Sequence, residues 1–131
     1  MSPPFPTKAI EPAFSEFKRS MVAAVFINGH RYFAVRRDQL IAVAKLHGLP
    51  AVSLQHGFAV AGGIAGYGAD LDESFRQAGI YIGRVLKGEN PAELPVLQPT
   101  KFIFAINLKT ARALGIEVPP TLLARADEVI E

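Results

Sequence analysis

Met21 to Ile27 reads MVAAVFI, seven apolar residues in a row with branched side chains among them and no polar face at helical spacing. Such a run reads as a strand buried on both sides, the kind found in parallel sheets. Asn28-Gly29 closes it with turn chemistry. A second buried run, AVSL at 51–54, follows Leu49-Pro50. Between the two, Asp38 to His47 places Leu40, Ile41, Val43, Ala44 and Leu46 around a helix that Gly48 is expected to stop in a left-handed cap. Upstream, Ile10, Ala13, Phe14 and Phe17 predict a short amphipathic helix that begins near Glu11, where Pro12 is tolerated in the first turn, and ends before Met21. Helix, strand, helix, strand is the order of a parallel sheet flanked by helices, so the expected fold class is α/β.

The totals agree with one globular domain. The chain has 131 residues, half of them apolar and 20% charged, enough to bury a core. Fourteen Lys and Arg against twelve Asp and Glu leave a net charge of +2. The basic residues are scattered apart from Lys18-Arg19 and Arg36-Arg37, so no nucleic-acid partner is expected. There is no cysteine, which removes both disulfides and thiolate chemistry. The proline-rich start MSPPFPTKAIEPAF does not read as a secretory signal, and no run approaches the roughly 18 apolar residues of a membrane span, so the chain as written is expected to be soluble and unexported, and cytoplasmic if it is the complete product.

Four glycines fall within seven residues in AVAGGIAGYGADLDESF, Ala59 to Phe75. A dinucleotide fingerprint fails: counted from Gly66 its third glycine lands on Leu71, and counted from Gly62 its second lands on Ile64. A P-loop fails because Gly63 or Ala69 stands where Lys is required. Gly62-Gly63 and Gly66-Tyr67-Gly68 therefore read as brackets around a very short extended piece with close backbone approach. Beyond it Asp70 is placed to cap a helix with Glu73 at the reciprocal position. Leu71, Phe75, Ala78, Ile82 and Val85 form its apolar stripe to about Lys87, and Gly88 is its stop. Gly88 to Pro99 is a proline-limited connector and KFIFAIN an alternating strand. Asn107 should cap a helix through Leu114, which Gly115 ends, and Pro119-Pro120 introduces a last turn around Leu122 to Ala126.

The block LKGENPAELPVLQPTKFIFAINLKTARALGIEVPPTLLARADEVIE, Leu86 to Glu131, resembles the C-terminal end of the substrate-binding proteins of ABC-type uptake systems, the group that includes tryptophan-binding lipoproteins. PAVSLQHGFAVAGGIAGYGADLDESFRQAGIYIGRVLKG is similar to the same family's strand, AGG turn, Tyr-Gly pair and long helix. The likeness is strong over 50–131 and looser over 14–49. It implies two α/β lobes of the type I periplasmic-binding fold, of which this chain supplies the latter part. Residues 1–61 would belong to a lobe, 62–68 to an interlobe crossing through Gly62, Gly63, Gly66 and Gly68, 69–99 to the long helix and connector, and 100–131 to the last strand and helices. Relatives commonly read Leu-Met-Ser-Tyr-Gly where this chain has Ile64-Ala65-Gly66-Tyr67-Gly68. The expectation is a truncated gene product, an excised piece or a reduced descendant. The implied role is non-covalent binding of a small amino-acid-like or aromatic solute, with an ABC permease as partner and a periplasmic or membrane-anchored location. The alternative is an orphan interaction domain, and in either case exposed apolar surface predicts a homodimer or a domain-swapped oligomer.

Ligands of open α/β sheets sit beyond the carboxyl ends of the strands. There the sequence places Asn28, His30, Arg31 and Tyr32 after the first strand and Gln55, His56 and Phe58 after the second, with Tyr67 at the Tyr-Gly pair. A solute carboxylate would meet Arg31 or backbone N–H groups, and a ring would stack on Tyr32 or Phe58. The bland alternative is that Phe33 and Phe58 are core anchors and His30 is solvated. His30 and His56 lack companions for a metal site, and no nucleophile elbow or thiol is present. Neither metal, cofactor nor enzymatic activity is expected.

Overall fold

The computed structural model describes residues 9–131. The reading of the N-terminus as lacking a signal falls largely on residues 1–8, outside them. The elements are α1 (Ile10–Arg19), β1 (Val25–Ile27), α2 (Arg31–Val35), α3 (Arg37–Leu46), β2 (Ala51–Ser53), α4 (Gly57–Val60), β3 (Ala65–Ala69), α5 (Leu71–Leu86), a 3-10 turn (Pro91–Glu93), β4 (Phe102–Asn107), α6 (Leu108–Ala113), α7 (Pro120–Leu123) and β5 (Glu128–Ile130). The five strands form one sheet in the order β1-β2-β3-β4-β5.

The sheet is mixed. β1, β2 and β3 run parallel, β4 is antiparallel to β3, and β5 is parallel to β4. The reversal refines the expected parallel sheet and has a chain-path cause: the chain leaves the sheet at Asp70 through α5 and returns at Lys101 heading the opposite way. The first strand is also shorter than its apolar run. Met21 takes a φ of +53° in the closing turn of α1, where Val22 N donates to Phe17 O, so the backbone extends only from Val25.

Cross-strand partners share a face, and side chains alternate along each strand. Val25, Ile27 and Ala51 face inward against Ile10 and Phe14 of α1, Leu40, Ile41 and Ala44 of α3, Leu49, and Phe58 of α4. The opposite face carries the row Phe26, Val52, Ala65, Ile106 and Val129. Ile106 is buried there, but Phe26 is 61% exposed and Tyr67 51% exposed.

Both side-chain helix caps read from the sequence are in place. Asp70 accepts a hydrogen bond from Glu73 N at the start of α5, and Asn107 accepts one from Thr110 N at the start of α6. Glu73 does not reach back in reciprocity; its carboxylate turns outward to Arg76 and Gln77. α5 buries none of its residues.

Candidate functional site

The carboxyl ends of β1 and β2 and the middle of β3 meet in one place. The loop after β1 lies beside the turn after β2, since a Cβ on Gly29 would stand 3.8 Å from Leu54 Cβ. β3 presses against that turn more closely still. A Cβ on Gly66 would stand 2.2 Å from Gln55 O, and one on Gly68 would stand 2.3 Å from Leu54 O, so backbone touches backbone where any side chain would intrude. The region around 28–30, 54–57 and 66–68 is thus one packed unit at the strand ends.

Within it the polar side chains first organise their own loops. Asn28 Oδ1 accepts from His30 N at 3.0 Å, and His30 Nδ1 accepts from Tyr32 N at 3.2 Å, capping α2. This leaves the Asn28 amide nitrogen and His30 Nε2 turned away from those bonds. Arg31 is exposed at the first position of α2, and Gln55 and His56 are half-buried on either side of the turn that starts α4. The sequence reading missed Arg37, whose Nη1 would be 3.9 Å from a Cβ on Gly57 and whose Nε pairs with the exposed Asp38 at 3.0 Å. Its signal was the Arg36-Arg37 pair, but only the fold brings the start of α3 against the turn after β2.

The expected ring partners lie elsewhere. Phe58 is 1% exposed and belongs to the core, against which Gly63 packs so tightly that a Cβ there would meet the ring at 2.1 Å. It is a core anchor and does not face a solute. Tyr32 is half-buried, with the Arg36 guanidinium 4.9 Å over one ring face and Phe33 edge-on at 5.4 Å. Tyr67 points to the opposite sheet face from Gly66 and Gly68. There its ring stacks on Phe102 at 5.7 Å and meets Phe104 edge-on at 6.3 Å. The polar cluster and the exposed aromatic pair therefore occupy different faces.

Gly62 and Gly63 form the turn from α4 into β3, with Gly62 at a φ of +113°, whereas Gly66 and Gly68 lie inside β3 rather than flanking it. The second glycine pair therefore does not bracket an extended piece; it is the strand. Charge pairing is concentrated past it. Lys101 Nζ lies 2.8 Å from Asp70 Oδ2 and, together with Glu73 N, holds the Asp70 carboxyl below its ordinary range. Arg76, then Gln77, hold Glu73 down to about 2. Among the described residues no three of His, Asp and Glu gather as a metal site.

A concavity of about 970 Å³ lies away from this cluster, between α5 and the proline-rich connector. Ile82, Val85, Leu86, Leu94, Val96 and Leu97 line it, and Tyr81 fastens the connector by donating to Pro95 O at 2.7 Å.

The fold has close counterparts among solved structures. A conserved domain protein from Vibrio cholerae O1 biovar El Tor superposes with a TM-score of 0.84 at 23% identity, covering 93% of this chain and 41% of that one. The ABC domain from Streptococcus pneumonia, solved in complex with L-Trp, superposes with a TM-score of 0.83 at 27% identity, covering 95% and 43%. The ligand-free, open structure of a substrate binding protein with adhesive properties from Clostridium difficile gives 0.64 at 17% identity, covering 95% and 41%. Comparison with curated proteins returns no match. The chain thus spans about two fifths of the length of the structures it resembles. The family profile of the ABC transporter substrate binding proteins matches residues 7–130, nearly the whole chain. On that match and that fold, the chain belongs to the ABC transporter substrate-binding protein family, whose members bind solutes and are not enzymes.

Proposed function

We propose that the chain is one α/β part of a solute-binding component of an ABC uptake system, and that it holds a small amino-acid-like solute at the strand ends. The observation that carries this reading is the family match over 7–130, joined to a relative 27% identical that was solved with L-Trp. The Asn28 amide, His30 Nε2, Gln55 and His56 supply hydrogen bonds, and Arg31 and Arg37 supply guanidinium forks suited to a carboxylate. Tyr67, with Phe102 beside it, offers an aromatic surface on the far face. Residues 62–68 lead to the crossing, which the chain completes at Asp70. An ABC permease is the proposed partner, with the periplasm or the outer surface of a membrane as the setting. Among the described residues no helix is long and apolar enough to cross a membrane. The test is calorimetric titration and thermal shift with the L-amino acids, L-Trp first. Stabilisation that grows with concentration, and that is lost in Arg31→Ala or Arg37→Ala, supports the role; no stabilisation by any of them at millimolar concentration refutes it.

A second reading, assembly, is favoured by the apolar groove. Of its lining, Ile82 is 60% exposed, Leu86 82% and Val96 95%, a clustering uncommon on a free surface. A second copy, with the segment beyond Gly68 packed against its neighbour or exchanged with it, would cover this groove. Sedimentation showing a monomer at tens of micromolar would refute the homodimer.

A further inference from the structure

The α5 unit, residues 71–100, joins the sheet by two chain crossings, at Asp70 and Lys101. Among the described residues, the hydrogen bonds and ion pairs that tie this unit to the rest of the molecule converge on Asp70. Its Oδ1 accepts from Glu73 N at 3.2 Å and its carbonyl accepts from Ser74 Oγ at 2.9 Å, fixing the first turn of α5. Its own N–H donates to Lys101 O at 3.0 Å, and its Oδ2 holds Lys101 Nζ at 2.8 Å, fixing the returning strand. The two carboxylate oxygens thus serve the two crossings separately. Asp127, the carboxylate on the neighbouring strand connection, already accepts from Phe104 N at 2.8 Å, which leaves Asp70 as the counter-charge that Lys101 touches. Asp70 is 8% exposed, so the pair is shielded on one side, while the Lys101 side chain reaches it along the surface.

We propose that Asp70 and Lys101 form a hinge clamp, a positioning pair that sets the angle at which the α5 unit stands off the sheet. α5 has no fully buried residue, so no core side chain of the helix anchors that angle. The lever is long: 16 residues of helix extend about 24 Å at about 1.5 Å per residue, so a hinge excursion of about 10° carries the far end about 4 Å. The clamp also neighbours the aromatic pair, since Phe102 follows Lys101 directly and stacks on Tyr67. Opening the hinge would therefore be felt at that ring surface. The inference stands whether or not a solute binds.

The chain has no cysteine, so two labels can be placed cleanly. Ala42→Cys on α3 and Lys87→Cys beyond α5 are both exposed positions, and pulsed dipolar spectroscopy on spin-diluted protein reads the distance between them. Asp70→Asn keeps a capping oxygen for Glu73 N but removes the charge, and Lys101→Met keeps the aliphatic stem but removes the ammonium. Each is expected to broaden the distance distribution by half or more with helical circular dichroism unchanged, while Lys101→Arg restores the original width. Unchanged widths in Asp70→Asn and Lys101→Met overturn the clamp. So does a Lys101→Arg protein as broad as Lys101→Met. If Asp70→Asn does not fold, the lysine pair of variants decides alone.

Discussion

Gly66→Ala is the sharpest perturbation of the site. Gly66 sits in β3 between β2 and β4, and the added methyl would stand 2.2 Å from Gln55 O, 2.8 Å from His56 O and 2.9 Å from His56 Cα. A carbon and an oxygen rest about 3.3 Å apart or more, so the turn would have to retreat by about 1 Å. The atoms in the way are backbone and have no rotamer to escape into. Overpacking typically costs about 1–3 kcal/mol, and a backbone obstacle places this case at the upper end, about 3 kcal/mol. For a chain of this size that lowers Tm by about 10 °C. The control is Gly79→Ala in α5, where a Cβ meets nothing within 4 Å. There the exchange should add about 0.5–1 kcal/mol through helix propensity and raise Tm by a few degrees. Thermal and urea unfolding followed by circular dichroism reads both. A Gly66→Ala protein melting within a degree of the parent would show that the turn yields freely and would refute the packed strand-end unit described above. The retreat of Gln55 and His56 should also weaken any solute titration of the folded Gly66→Ala protein.

Three other outcomes are expected. Asn107→Ala removes both the cap on Thr110 N and the buried bond to Ala59 O at 2.9 Å, which together should cost about 2–3 kcal/mol in urea unfolding; a loss under about 1 kcal/mol would mean that water replaces both partners. Acid should destabilise the α5 start in a defined window. The folded values of Glu73 and Asp70 lie below their ordinary 4.5 and 3.8, so their contribution is full above about pH 5 and fades as pH falls toward about 2. Glu73→Gln should lose the steeper part of that dependence, and parallel acid profiles for parent and variant would contradict the assignment. Ile82→Asp with Leu86→Lys, at exposed positions of α5 that line the groove, should leave Tm nearly unchanged while reducing the sedimentation coefficient if the groove mediates assembly; an unchanged coefficient would exclude α5 as the contact.

Much of the fold was legible because local rules and tertiary structure agree. The buried runs, the alternation that makes an α/β sheet, and the caps at Asp70 and Asn107 each depend on neighbours close in sequence. What escaped depends on partners far away or on elements too short to show a period. The antiparallel entry of β4 follows from a chain path, although the alternation in KFIFAIN, unlike the continuous MVAAVFI, carried a hint of it. β5 is three residues long, too short to show a period in the sequence, yet it follows Asp127, whose Oδ2 holds Phe104 N in place. α2 is five residues long and is capped by a histidine nitrogen, outside the usual capping residues. Phe58 drew a ligand role by standing next to His56-Gly57, and only the packing shows its ring turned into the core. Arg37 was hidden for the converse reason, being distant in sequence from the turn it touches.

The apolar side chains on α5 and on the outer sheet row belong to the folded molecule, not to a transiently opened one. Clumping of this protein in storage should therefore follow the concentration of the native form. Core mutations that raise the melting point would leave it untouched, whereas a few charges placed on the rim of the groove would suppress it without moving the melting point at all.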